Sequence, residues 1–375
     1  MQSNVKTSWF TLVNNNFDNS GKAITVGTTW NELASQDYMG LELAQQWVKA
    51  SRCLSQLEGY LQASALSELA VRLLCFAEAL DSSRAQGSGL DMATLARDAV
   101  MRESSRSPQA RDALQGLAAM QNLMALPAQA SLSVPALLQV QSMLCPENPG
   151  LPTSGVPTAL ERWLSDWQLA AHPGAHTDAL LQLPLLHARW HQMQPLSSDH
   201  QRMGRLLDVL LLQRSGLISS MAMLWSRALM TTAQRLDWRS GTAARPGDSV
   251  LARQAYVLQV VETAAKLTLE VLSDLSALWS EVNHAVQAQH KFFSPELVRH
   301  LFVYPATRVE LLAHELAVTR LTATRYLDAL VGTGILQRER FGRDNVYAHA
   351  ALQAVLKPKD KWPKETLTAL LRPKS

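Results

Sequence analysis

From Leu41 to His284 one pattern recurs: apolar residues at helical spacing, then a short polar or Pro/Gly break. Leu43, Trp47, Ala50, Leu54 and Leu57 mark the first run, over 41–63. Further helices are expected over 67–80, 92–101 with Asp91 as N-cap, 108–126, from Ser133-Val134-Pro135 to about 143, 158–170 and 178–193. The series continues over 202–213, 220–236, 250–284 and 294–303. Ser82–Gly89 carries turn chemistry, and Cys145–Pro157, rich in Pro and Gly, should be an irregular loop. Residues up to about Tyr38 are polar and show no usable period. Such a chain buries apolar helix faces against one another, so the expected class is mainly α.

At 375 residues there is room for two or three domains with a real core. Leu, Ala, Gln, Met and Arg dominate the middle, which suits helices. Cys53, Cys75 and Cys145 form neither a CxxC pair nor a metal-ligand spacing, so reduced thiols, no metal site and a cytoplasmic location are expected. The N-terminus shows no secretory signal, and no apolar run is long enough to span a bilayer. Charge is uneven. Residues 294–375 hold thirteen Lys+Arg against eight Asp+Glu, a hint of an anionic partner.

The C-terminal stretch has a definite order. Val309–Ala317 is an amphipathic helix, Val318-Thr319-Arg320 a turn, and Leu321–Val331 a second helix stopped by Gly332-Thr333-Gly334. Two short strands follow about the polar turn Gly342–Asn345. Helix, turn, helix and hairpin make a small winged helix-turn-helix domain with a β-hairpin wing. If it binds DNA, Arg320, Thr322, Thr324 and Arg325 would face the major groove, with Arg338, Arg340 and Arg343 on the wing meeting phosphate. Such modules also dock proteins or dimerise, so the fold leaves the partner open.

Upstream lies Gln194-Pro195-Leu196-Ser197-Ser198-Asp199-His200-Gln201-Arg202-Met203-Gly204-Arg205. This resembles the active-site loop of the Fic family: His-Pro-Phe, two variable residues, Gly-Asn-Gly-Arg, one variable residue, Gly-Arg. The proline, both arginines and the last glycine are kept. Gln194 stands where the family has its histidine, and Asp199-His200-Gln201 where it has Gly-Asn-Gly. Gly155-Val156-Pro157 and the helix with Leu160, Trp163, Leu164 and Trp167 resemble the family's flap and following helix. Ser82-Ser83-Arg84-Ala85-Gln86-Gly87 resembles the inhibitory motif Ser-Ser-x-Ile-Glu-Gly, with Gln86 in place of glutamate. The resemblance covers about residues 40–357. It divides the chain into an N-terminal helical region (1–105), a Fic-like helical bundle (106–290), the winged module (291–357) and a basic tail (358–375).

The resemblance implies AMP transfer from ATP, with Mg²⁺, to a Ser, Thr or Tyr hydroxyl of a target protein. Arg202, Gly204 and Arg205 would hold phosphates at a helix start. Ser82, Gln86 and Gly87 would form the inhibitory position, whose glutamate engages the second arginine in the family. The family histidine accepts the hydroxyl proton, and a glutamine amide cannot. Loss of such a base removes ~10²–10⁴-fold of rate. Ser198 replaces the usual acidic metal ligand. Three readings stay open. One is a pseudoenzyme needing no cofactor, with DNA, a protein or a second copy as partner. Another is a divergent transferase with ATP and Mg²⁺ and a displaced base, His200 or His191. The third is an interaction protein that binds neither nucleotide nor DNA.

Overall fold

The computed structural model describes residues 16–17, 23–24, 37–127, 130–147, 150, 157–175, 178–232, 250–342 and 344–358. Two compact units are present, residues 1–45 and 46–375. In the first, β1 (Asn16–Phe17) pairs antiparallel with β2 (Ala23–Ile24). Helix α1 runs over Asp37–Ala63. Most of the expected polar arm, Gly155-Val156, Arg343 and nearly all of the basic tail lie outside the described residues.

The second unit is mainly helical. After α1 come α2 (Ser67–Ala85), α3 (Met92–Val100), a 3₁₀ turn (Glu103–Ser105), α4 (Pro108–Ala125) and α5 (Val134–Leu144). Helices α6 (Pro157–Ala171), α7 (Ala179–Met193), α8 (His200–Arg214), α9 (Trp225–Thr232) and α10 (Val250–Gln289) follow. Starts are set by side-chain caps. Asp91, Ser107, Ser133 and Asp178 each accept from a backbone N–H in the first turn of α3, α4, α5 and α7. Among the described residues no helix is long and apolar enough to cross a membrane.

Two expectations change here. Helix α2 does not stop at Leu80 but runs on to Ala85. Ser82 and Ser83 stay helical because both are buried against polar partners from other helices. The stop comes at Gly87 (φ 95°), whose N–H donates to Arg84 O at 2.9 Å. Residues 220–224, expected as helix, precede α9 as a non-helical segment. Met221, Ala222, Met223 and Leu224 are all buried there, and the Leu224 N–H donates across to Thr268 Oγ1 at 3.0 Å. Of the expected 220–236 helix, 233–236 lies outside the described residues.

The C-terminal region contains α11 (Pro295–Val303), β3 (Ala306–Thr307), α12 (Val309–Glu315), α13 (Arg320–Gly332), β4 (Gln337–Phe341), β5 (Asp344–Ala348) and α14 (Ala350–Leu356). The sheet order is β3-β5-β4, all antiparallel, so the hairpin wing gains a short third strand. Thr319 caps α13 through Thr322 N. This region packs on the body through α3, which meets β3, β5 and α14, and through α10. Arg97 of α3 sits 4.4 Å over the Phe341 ring at the end of β4.

Candidate functional site: the loop between α7 and α8

Gln194 ends α7 in the left-handed region (φ 44°) with its side chain exposed. Pro195 and Leu196 turn inward and are buried. Asp199, also left-handed (φ 52°), precedes α8. The loop is stapled from outside by Gln141 of α5. Its Nε2 donates to Ser197 Oγ and Ser198 O, each at 3.3 Å, and its Oε1 accepts from Gly150 N at 2.9 Å. Ser197 N also donates to Gly150 O at 3.1 Å. Ser198, at the position of the family's acidic metal ligand, is thus held by a neutral amide.

The helices flanking the loop are locked together. Trp190 Nε1 donates to His200 O at 2.7 Å. A Cβ on Gly204 would fall 2.7 Å from Trp190 Cδ1 and 2.9 Å from its Nε1, so α8 can approach α7 only with glycine at that position. Deeper in, His187 Nδ1 lies 2.5 Å from Asp208 Oδ2. Burial pushes the Asp208 carboxyl up and pulls the His187 imidazole down to about 3.

The two candidates for a displaced base differ in exposure. His191 is buried beside Gly204 and His187, and burial takes its pKa down to about 2. It faces the interior rather than an arriving hydroxyl. His200 is half-buried, and desolvation lowers its pKa while Asp199 opposes the shift.

The arginines and the inhibitory position do come together, but in a different pairing from the one the resemblance implies. Gln86 engages Arg202, not Arg205. Its Oε1 accepts from Arg202 Nε at 3.0 Å and also from Nη2, while its Nε2 donates to Asp199 Oδ1 at 2.7 Å. Arg202 Nη2 further donates to both Asp112 carboxylate oxygens, at 2.9 and 2.8 Å. Asp199 Oδ1 stands 3.7 Å from Arg202 Nε. Arg205 is buried and donates to Ser82 Oγ at 2.9 Å and Ser82 O at 3.2 Å. Burial brings its guanidinium down to about 10, against the pull of Glu78, so it stays charged at neutral pH.

The chain therefore supplies its own anions to Arg202. Asp112 and Asp199 occupy the guanidinium that a phosphate would need. The cavity beside Arg202, lined by Ala79, Ser82, Gly116, Met120 and Leu206, measures about 10 Å³, roughly one water's centre. A larger cavity of about 240 Å³ lies elsewhere, between α2, α4 and α11. Among the described residues no cluster of His, Cys, Asp or Glu could hold a metal ion.

Asp112 gave no signal in the sequence. Gln141 gave one. It lies at helical spacing with Leu137, Val140 and Leu144, a polar residue on an otherwise buried stripe. The same holds for Glu78 and Asp81 on the buried side of α2. Glu78 accepts from Ser226 N at 3.0 and 3.1 Å. Asp81 Oδ2 accepts from Arg227 Nε at 2.7 Å, and Arg227 Nη2 donates to Leu356 O at 2.6 Å. One arginine thus joins α2 to the end of α14.

The proposed DNA contacts are divided. Arg320 is paired with Glu310, and Arg338 Nη1 lies 3.3 Å from Asp328 Oδ1. Thr322 N donates to the Thr319 cap, and Thr324 Oγ1 donates to Arg320 O. Arg325 and Arg340 are exposed. Within 294–356 there are seven Lys+Arg against six Asp+Glu, whereas 357–375 has six against two. The basic excess belongs to the tail and not to the helix-turn-helix.

Residues 278–352, from the last turns of α10 into α14, match the family model described as the C-terminal domain of SoFic-like protein adenylyltransferases. A crystal structure of a Fic family protein from Desulfovibrio desulfuricans G20 is similar over 85% of this chain and 97% of that chain, at 13% identity and a TM-score of 0.41. Over residues 278–352, then, the chain resembles the C-terminal domain of SoFic-like protein adenylyltransferases.

Proposed function

We propose that this chain is a catalytically retired Fic protein that acts as a regulatory or docking scaffold. The observation that carries this reading is the Gln86 side chain, which donates to Asp199 and accepts from Arg202. That arrangement needs an amide. It closes the phosphate position from within, beside a loop whose base position holds Gln194. On this reading no cofactor is required: Arg202 and Arg205 already donate to groups of the chain, and Ser198 stands where the resemblance implies an acidic metal ligand. The three cysteines are free, which suits a reducing cytoplasm. Calorimetry with ATP and Mg²⁺ tests the reading. No heat of binding is expected, and saturable binding that weakens in Arg202→Ala would reject it.

A DNA-binding role for the C-terminal module would rest on Arg325 and Arg340. The near-even charge of the helix-turn-helix favours a protein partner instead. Electrophoretic mobility with mixed-sequence duplex separates the two. Salt-sensitive retardation lost in Arg325→Ala would restore the DNA role.

A further inference from the structure

Helix α13 presents Leu321, Arg325, Asp328 and Gly332 to solvent on one stripe. Their spacing of four, three and four residues keeps them on one face, about 16 Å from end to end. Leu321 is 62% exposed. A single exposed leucine is ordinary. Gly332, at the far end of the stripe, gives it a counterpart. A side chain built on Gly332 would meet nothing within 4 Å, so a shallow open site lies there.

We propose that this face is a homodimer interface, formed by two copies of α13 packed antiparallel about a two-fold axis between residues 326 and 327. A two-fold contact is reciprocal: if residue i meets j, then j meets i. Centred there, Leu321 of each copy seats over Gly332 of the other, and Arg325 of each meets Asp328 of the other. Both matches occur twice. The stripe is thus complementary to itself in shape and in charge. Asp328 also has the capacity. Its contacts with Arg338 and with the Tyr347 hydroxyl both use Oδ1, which leaves Oδ2 to accept from a partner's Arg325. The neutralised charge of the module suits this occupant better than a polyanion, since Arg320 is already paired with Glu310. A contact this short gives a weak, concentration-dependent dimer.

Sedimentation equilibrium of the full chain across a wide concentration range tests the proposal. The wild type should pass from monomer to dimer. Gly332→Leu projects into open space in the monomer, so it should keep the wild-type circular dichroism and yet abolish the dimer. Arg325→Asp and Asp328→Arg should each weaken self-association at least about tenfold. Mixed together, those two variants should associate one to one, because every cross-pair is then complementary. A wild type that stays monomeric throughout overturns the proposal. So does a dimer that survives Gly332→Leu, or a mixture of the two charge variants that does not associate. Duplex DNA retarded through Arg325 would assign the face to a different occupant and overturn it as well.

Discussion

Gln86 donates its side-chain amide to Asp199 Oδ1 at 2.7 Å while accepting from Arg202. The two residues make sense as a pair. The family's glutamate at position 86 would set a carboxylate against Asp199, and the family's glycine at 199 would leave the amide without an acceptor. Gln86→Glu should therefore lower stability by about 0.5–1.5 kcal/mol, the range for losing one exposed hydrogen bond. Adding Asp199→Asn should recover much of the loss. Urea denaturation of the single and double variants reads the difference.

Placing the family's histidine at position 194 should not by itself confer AMP transfer. Gln194→His puts an imidazole at an exposed helix end, but Arg202 remains tied to Asp112, Asp199 and Gln86. Transfer of labelled AMP to any protein in the reaction should stay at background. A measurable rate from this single variant would mean that the arginine network opens readily.

Gly204→Ala should cost about 1–3 kcal/mol through overpacking, because the new methyl would overlap Trp190. The Trp190 contact with His200 O should loosen with it, and the melting temperature and near-ultraviolet circular dichroism should report both changes.

Much of the fold was legible in the sequence. Helix positions followed from apolar spacing, from the cap Asp91 and from the start at Ser133-Val134-Pro135. Helix α2 outran its expected end because Ser82 and Ser83 found partners far away in sequence, which no local pattern records. Strand β3 is two residues long, too short to leave a period, and α14 follows β5 without a break signal. At the site, Gln86 and the 194–205 loop stood out in the sequence as likenesses to family motifs. Their pairing did not, since Gln86 reaches Arg202 where Asp112 and Asp199 converge, and an aspartate in the second turn of α4 looks like any solvated charge.

Arg227 should be a stability residue rather than a site residue. Arg227→Ala leaves Asp81 buried without its ion pair and frees the carbonyl of Leu356. Breaking one side of such a pair costs ~3–5 kcal/mol. Urea denaturation should show it, and limited proteolysis should reach the C-terminal module first.

Glu78 sets a pH dependence of known sign. Burial raises its carboxyl to about 8, with Asp81 adding to the shift. A carboxyl raised in the fold favours the folded state below its unfolded value, and that stability is lost as pH rises toward about 8. Glu78→Gln removes the titration while keeping an acceptor for Ser226 N. The variant should gain on the wild type as pH rises from about 5 to about 8, by at most ~1.4 kcal/mol per pH unit. A pH-independent difference between the two would contradict the buried, protonated carboxyl.

The most direct measurement is incubation of the purified full-length chain with ATP labelled on the α-phosphate, Mg²⁺ and a cell extract as the source of targets. No labelled protein beyond the background of a heat-denatured control is the expected result. Label that appears with the intact chain and vanishes in Arg202→Ala would show that the loop still works as a catalyst.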